Sequence, residues 1–392
     1  MNLRTLFNDT IDDLFDALEP HETRLVGGYV RDFLATGRKS DDVDIATTAP
    51  PHVVTEKLKQ AGFSVIPTGL KHGTVTAKRG DALFEVTTLR RDMTTDGRRA
   101  KVIFTLNFEE DAIRRDFTFN ALYVAKDGTL YDYHGGEDDL KAGLVHFIGD
   151  TKARIEEDYL RILRFFRFYG RLAKSRKIDG ATLAAIQECA SLIEHLSPER
   201  ITTELFKILQ CNNIKKVWPQ MESTGVLNAI GLKGADYLAL HDFVTMFPQE
   251  KNPLIRLACM YYNKEETFVT RDPRLRYSNK EVVFLRKLFI ALERPQHHFP
   301  PEQQCYWLGK DVFMAALMIE ASRTTSKETR EDIQRTLAYI AQFTPPVFDV
   351  TGDDLMARGV PAGPELGYKL KELEAWWVEH DFPSKTDCLE QL

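Results

Sequence analysis

Two aspartates one residue apart, Asp42 and Asp44, open the chemical argument: in an extended strand that spacing puts both carboxylates on one face, with Val43 and Ile45 on the other. Carboxylates aligned in this way can hold one or two hard divalent cations that bridge a nucleotide phosphate and an attacking hydroxyl. Upstream, Gly27-Gly28 precedes an apolar helical pattern, so N–H groups at a helix start can approach a triphosphate with no side chain in the way. Arg31, about one turn further on, can add charge-assisted contacts. Taken singly, a Gly-Gly pair is a turn and an Asp-x-Asp is a solvated strand end. Taken together and in this order, between Leu25 and Thr47, they describe a site for phosphate and metal.

Such a site needs a rigid frame of strands and helices, and the chain carries one up to about Asp150. The stretch His72 to Arg90, "HGTVTAKRGDALFEVTTLR", reads as two alternating strands joined by a turn at Arg79-Gly80-Asp81. A second hairpin, Ala121 to Ala125 and Thr129 to Tyr133, turns at Asp127-Gly128. Beyond Thr151 the strand signals stop and helical periods take over, as in "EEDYLRILRFFRFYGRLA" and "ERITTELFKIL". Ser197-Pro198 introduces the second of these as an N-cap followed by proline at the first helical position. Pro345-Pro346 is the clearest late break.

Composition sets the bounds on class. With 43% hydrophobic and 28% charged residues the 392-residue chain reads as folded, not disordered. Its five cysteines are scattered, without a C-x-x-C pair, which points to neither a zinc knuckle nor a disulfide framework and fits a reducing cytoplasm. The first twenty residues carry Asp9, Asp12, Asp13, Asp16 and Glu19, unlike a secretory signal or an acid-poor transit peptide. No stretch approaches the roughly 18 to 20 apolar residues of a membrane span, so no membrane partner is expected. The net charge of −6 would oppose a nucleic-acid partner if it were evenly spread, but it is not. Thr151 to Lys177 holds nine Lys or Arg against three acids and Lys251 to Arg294 ten against five, whereas Glu331 to Leu392 holds twelve acids against five bases. A partner touching only part of the surface suits that distribution, as do solvated helix faces.

The segment "LVGGYVRDFLATGRKSDDVDIAT" resembles motif A of the class II branch of the DNA polymerase beta-like nucleotidyltransferases, the family of bacterial CCA-adding enzymes and poly(A) polymerases. "RRDFTFNAL", Arg114 to Leu122, is similar to the family's motif B, which implies that Arg115 and Asn120 serve the nucleotide and its ribose. "EDYLRILRFFRF", Glu157 to Phe168, resembles the family's E-D-x-x-R-x-x-R-x-x-R-F, which implies that Asp158 and Arg161 act as a protein template for the base, with Arg164 and Arg167 also at the nucleotide site. "RRDMTTDGRRAKVIF", Arg90 to Phe104, resembles the flexible-loop region, with Asp96, Arg98 and Arg99 as its polar residues, and "SPERITTEL" resembles the motif that closes the neck. A late "GDDLMARGVPAGPELG" also looks familial. Two departures, Ala100 after the loop arginines and Phe119 in motif B, touch no implied ligand. The acidic terminal region is a third, since family tails help to hold the tRNA elbow; backbone contacts are therefore expected around "RDPRLRY", from Arg271, Arg274 and Arg276, with a charged loop lacking a partner as the alternative.

Asp158 and Arg161 are three residues apart, so a continuous helix would make them neighbours able to offer an acceptor and donors to one base edge; an intrahelical salt bridge is the plainer alternative. On that helix Arg167 would point nearly opposite Asp158. The superfamily chemistry calls for a third carboxylate, for which Glu85 is the candidate because it lies mid-strand among apolar residues, a solvent-facing position being the alternative. His241-Asp242 lacks the upstream histidine of a metal phosphohydrolase and is taken as structural, and Trp376-Trp377 as packing.

The expectation is thus an α+β nucleotidyltransferase head, a mixed sheet with helices, over residues 1–150, followed by an all-helical neck (151–215), body (216–340) and tail (341–392). The resemblance implies Mg2+-dependent addition of CCA to the tRNA 3′ end from CTP and ATP, and the scattered cysteines point to the cytoplasm. Enzymes of the same family restricted to CC, A or poly(A) addition are the near alternatives, and a catalytically silent RNA-binding protein the distant one.

Overall fold

The structure, a computed structural model, describes residues 2–69, 73–92, 102–172, 174, 178–263 and 267–391. The loop residues Asp96, Arg98 and Arg99 lie outside the described residues. Two compact units form, one from residues 1–196 with 219–229 and the other from 197–218 with 230–392, so the stretch expected as a neck contributes to both.

The first unit is built on strands β1 (Thr23–Val26), β2 (Asp42–Thr47), β3 (Ser64–Gly69), β4 (Thr74–Arg79), β5 (Ala82–Thr88), β8 (Leu122–Val124) and β9 (Leu130–Asp132), in the spatial order β3-β4-β5-β2-β1-β8-β9; β6 (Arg90–Asp92) and β7 (Val102–Phe104) pair separately. The pairings are antiparallel except that of β2 with β5, which makes the sheet mixed as expected. Both predicted hairpins form, β4–β5 about Gly80 and β8–β9 about Gly128. Helices α2 (Gly27–Thr36) and α3 (Pro51–Gln60) pack on the sheet, with α1 (Asp9–Leu18) on α3, α4 (Phe108–Ile113) on β6 and α5 (Gly136–Ala142) on α2. Val26, Ala46, Leu89, Phe108, Ala112, Ala121, Tyr123 and Ile148 close into one buried cluster. Val26 lies opposite Asp44 in the β1–β2 register, and cross-strand partners share a face, so this cluster anchors the face that carries the carboxylates.

The helical stretch that follows corrects one expectation. "EEDYLRILRFFRFYGRLA" is not one helix but two, α6 (Thr151–Glu157) and α7 (Leu160–Leu172), broken at Asp158-Tyr159. Asp158 is extended, with φ −157°, and its Oδ1 accepts the Leu160 N–H at 3.1 Å. Aspartate competes for main-chain donors in this way wherever it can cap a helix start, and here the cap outweighs the apolar period that runs through it. Asp158 and Arg161 are therefore not neighbours along one helix face. On α7 itself Ile162, Leu163, Phe165, Phe166, Phe168 and Tyr169 are buried, leaving Arg161, Arg164 and Arg167 as a partly exposed stripe.

After α8 (Gly180–Cys189) comes α9 (Pro198–Leu209), which starts at the predicted proline, although the Ser197 side chain makes no capping bond. No strand occurs among the described residues of the second unit. Its helices enclose one cluster around Phe313, Leu317, Ile333 and Ile340 and another around Leu355, Leu373, Trp377 and Val378. The Pro345-Pro346 break falls between helices Lys327–Gln342 and Gly352–Ala357. Trp377 is packed as expected, donating its indole N–H to the Pro383 carbonyl at 2.8 Å, while Trp376 stacks on His380.

Candidate active site

β1 ends at Val26 and α2 begins at once, a reversal that Gly27 permits with φ 70°. A Cβ at Gly27 would lie 2.6 Å from Asp44 Oδ2, so this glycine is required by close approach as well as by its conformation. The next residue, Gly28, donates its N–H to that same oxygen at 3.2 Å. The helix start and the second aspartate are thus in direct contact.

The parallel pairing of β2 with β5 puts Glu85 directly beside Asp44, and Asp42 two residues along the same face. Val43 and Ile45 point the other way and are buried. Burial first, and the neighbouring Asp42 second, push the Asp44 carboxyl above the usual range, against the pull of Arg115, the Gly28 N–H and Arg31. Glu85 is raised too, by partial burial and then by Asp44 and Asp42. Asp44 and Glu85, both raised beside neighbouring carboxylates, are in the situation a bound cation relieves. Among the described residues no group of three or more His, Cys, Asp or Glu is arranged to hold a metal ion, so any ion here would rest on fewer protein ligands. A few hard oxygen donors with room for other ligands suit a divalent ion that also takes phosphate oxygens and water. The residues fit such an ion.

The arginines converge on a second set of acids. Arg31, buried, donates to Asn120 Oδ1 at 2.6 Å and to Asp32 at 2.7 Å, and its guanidinium lies 4.8 Å from the Phe168 ring centroid. The Asn120 amide continues to Asp116 at 2.8 Å, and Asp116 pairs with Arg164 at 2.5 Å. Asp116 is held below the usual carboxylate range against its burial, chiefly by Arg164. Arg115 pairs with the buried Asp111 at 3.0 Å and shares it with the Tyr123 hydroxyl, which donates at 2.8 Å. Burial would raise Asp111, but Arg115 and Arg114 hold it at about 2.

From α6 and α7, Arg154 donates to the Arg115 carbonyl at 2.8 Å, and Arg161 to the carbonyls of Arg154 and Arg114 at 2.7 and 3.2 Å. Glu157 ties Arg154 and Arg161 together, each at 2.6 Å. The Arg161 guanidinium is thus held by Glu157 and by the carbonyls of Arg154 and Arg114, while its main-chain N–H donates to the Asp158 carbonyl at 3.0 Å. Arg167 lies 4.4 Å from the Phe168 ring centroid, and Arg171 pairs with Asp32 at 2.9 Å. Asp42, Asp44, Glu85, Gly28, Arg31, Arg115, Asn120, Asp158, Arg161, Arg164 and Arg167 all fall in the first unit. Arg271, Arg274 and Arg276 fall in the second, where Asp272 clamps Arg274 at 2.6 Å and leaves Arg271 and Arg276 exposed.

Sequence reasoning missed Gly27 as a contact residue and the acids Asp32, Asp111, Asp116 and Glu157 that hold the arginines. For Asp111 a signal was available: it stands three and four residues before Arg114 and Arg115, the spacing of helical ion pairs.

Comparison with known proteins places this arrangement. Residues 23–146 match the profile of the poly A polymerase head domain, 177–233 that of an RNA- and SrmB-binding site of polymerase A, and 256–392 that of tRNA nucleotidyltransferase domain 2. The mitochondrial CCA tRNA nucleotidyltransferase 1 of Mus musculus is 37% identical, over 98% of this chain and 90% of its own length. The chain belongs to the CCA tRNA nucleotidyltransferase family. The CCA-adding enzyme of Levilactobacillus brevis, at 32% identity over 94% of this chain and 92% of its own, is a further relative. The fold is similar to that of the Bacillus stearothermophilus CCA-adding enzyme solved in complex with CTP, with a TM-score of 0.75 and 27% identity over 96% of this chain and 94% of that one. Membership of this nucleotidyltransferase family carries dependence on a divalent metal, in keeping with the clustered carboxylates.

Proposed function

We propose that this chain adds CCA to the 3′ end of tRNA, one nucleotide at a time, from CTP and ATP. The 3′-hydroxyl oxygen attacks the α-phosphorus, the bond to the β-phosphate bridging oxygen breaks, and diphosphate leaves with that electron pair. The observation that carries the chemistry is the juxtaposition of Asp44 and Glu85 on adjacent parallel strands, with the Gly28 N–H on Asp44.

In this reading Asp42 and Asp44 hold Mg2+, the member of the divalent class that tolerates one or two carboxylates plus phosphates and water. When bound, the ion supplies charge neutralisation and a more acidic hydroxyl. Glu85, its proton affinity raised, takes the hydroxyl proton or completes the ligand set. Gly28 and the α2 start, with Arg31 and Arg115, steady the triphosphate, and Asn120 the ribose. Asp158 and Arg161 meet the base edge, where a carboxylate matches the exocyclic amino group shared by cytosine and adenine. Arg164 and Arg167 support that edge from α7. Residues 1–150 act as head, 151–215 as neck, 216–340 as body and 341–392 as tail. The cytoplasm is the proposed location, supported by five free cysteines; among the described residues no helix is long and apolar enough to cross a membrane.

The test supplies tRNAs ending before CCA, after C and after CC, with single nucleotides and with or without Mg2+. The expected result is C on the first two and A on the third, with none without the metal. Extension of any RNA by repeated A would overturn the assignment in favour of poly(A) synthesis.

A further inference from the structure

Asp111 is 1% exposed, so it cannot meet a nucleotide, yet three parts of the nucleotide-handling machinery converge on it. Its Oδ2 accepts Arg115 Nε and Nη2 at 3.2 and 3.0 Å and the Tyr123 hydroxyl at 2.8 Å. Its Oδ1 accepts Arg114 Nε at 2.8 Å, and the carbonyl of Arg114 in turn receives Arg161 at 3.2 Å. The same Oδ1 accepts the N–H of Arg90 at 3.4 Å, the first residue of the strand that leads into residues 93–101.

From this convergence we infer that Asp111 is a positioning residue for nucleotide choice: one buried carboxylate sets the Arg115 fork and keeps the Arg114 main chain, on which Arg161 rests, in register with it. The inference rests on the roles proposed above for Arg115 and Arg161. Two arginine forks on one acid fix both in direction, because the guanidinium geometry allows few alternatives once two of its edges are bonded. The carboxyl lies at about 2, so the clamp stays charged across any working pH. Helix α4 does not depend on it for placement, since Phe108 and Ala112 on the same helix are buried in the core cluster.

The test is Asp111→Asn, which preserves shape but removes the charge and turns one of the two acceptors into a donor facing donors. KM for CTP and ATP should rise about tenfold, the scale expected when a buried charged donor loses its partner. The kcat/KM preference for CTP over UTP should fall about threefold or more, with kcat changing less. A purely structural acid would lower Tm and leave KM and the CTP to UTP ratio of the folded enzyme unchanged, which would overturn the proposal, as would a fall in kcat alone. Should Asp111→Asn fail to fold, Tyr123→Phe carries the decision: it removes one hydroxyl from the clamp and keeps the buried ring. A rise in KM of about two- to threefold is expected there, and an unchanged KM overturns the inference. The wild-type enzyme on tRNA lacking CCA is the control that separates the two claims. Failure of the wild type to add CCA refutes the functional reading, whereas normal addition with indifferent variants refutes only the role of Asp111.

Discussion

In the first unit three buried or half-buried arginines end on carboxylates: Arg115 on Asp111, Arg164 on Asp116, Arg31 on Asp32. In the second unit Arg256, fully buried, ends on main-chain oxygens, donating to the carbonyls of Leu209, Cys211 and Glu250 at 2.6, 3.0 and 3.0 Å and to the Asn212 side chain at 3.1 Å. The first arrangement spends ion pairs on holding cations at fixed angles near a cluster of acids. The second uses one cation to satisfy carbonyls at the end of α9 and in the turn after it, together with that of Glu250 ahead of the helix Pro253–Tyr261. The comparison teaches that burial of an arginine says little about function; the identity of its acceptors says more. On the proposed reading the ion pairs around Arg115 and Arg31 serve the nucleotide, while the acceptors of Arg256 are those of a folding contact.

The largest effect should come where charge is least compensated. Asp44→Ala, or Asp42→Ala, should cut nucleotide addition by on the order of a thousandfold or more, because an ion that neutralises phosphate is lost. For Asp44→Ala stability should hold or rise slightly: a carboxyl whose folded pKa is raised, as that of Asp44 is, opposes folding above its unfolded value, so its removal relieves the native state at neutral pH. Thermal unfolding beside single-turnover addition checks both, and a variant that keeps about a tenth of the rate would remove the metal role from this pair.

Arg256→Ala should show the reverse. It leaves three carbonyls without their donor and a cavity beside them, at a cost of about 3 kcal/mol or more in unfolding free energy. The kcat/KM of the protein that remains folded should be unchanged. Loss of activity without loss of stability would break the contrast between the units.

How much of this was legible beforehand follows from which forces are local. The strands, both hairpins and the pairing of Asp42 with Asp44 on one face follow from period-two patterning and turn residues, which act over a few positions. The register that brings Glu85 beside Asp44 depends on a parallel crossover, which sequence spacing does not encode, so Glu85 could be proposed only as a mid-strand acid. The break at Asp158 was masked because the apolar period runs through it while a single side-chain cap decides the backbone. The acid Asp116 was visible as a letter but not as a partner, since its contact with Arg164 spans 48 positions, whereas Glu157, three and four residues from Arg154 and Arg161, stood at the spacing of helical ion pairs.

The break at Asp158 also sharpens the expectation for base choice. Arg161 is held by Glu157 together with the carbonyls of Arg154 and Arg114, so replacing Asp158 removes an acceptor while these contacts of the arginine stay. Asp158→Ala and Arg161→Ala should each cost about 1 to 3 kcal/mol of discrimination against UTP and GTP. Measured kcat/KM for all four nucleotides decides it, and an unchanged CTP to UTP ratio in both variants would leave the pair as helix-end electrostatics.

The smallest effects should come from the second unit, where the proposed contacts are with phosphate and not with the reacting atoms. Each cation that neutralises a phosphate contributes about 0.7 to 0.9 to the slope of log affinity against log salt, so losing one should flatten that slope by about this much without altering nucleotide preference. Arg271 and Arg276 are exposed, whereas Arg274 already spends its Nε and Nη2 on Asp272 at 2.8 and 2.6 Å. The order of effect should therefore be Arg271→Ala and Arg276→Ala ahead of Arg274→Ala, because a paired guanidinium presents little net charge to the backbone of a tRNA. Binding of tRNA measured from low to moderate salt reads this directly. Equal slopes in the wild type and all three variants would make the stretch a charged loop with no partner and would move the RNA-binding charge of this chain to the basic segment around α7.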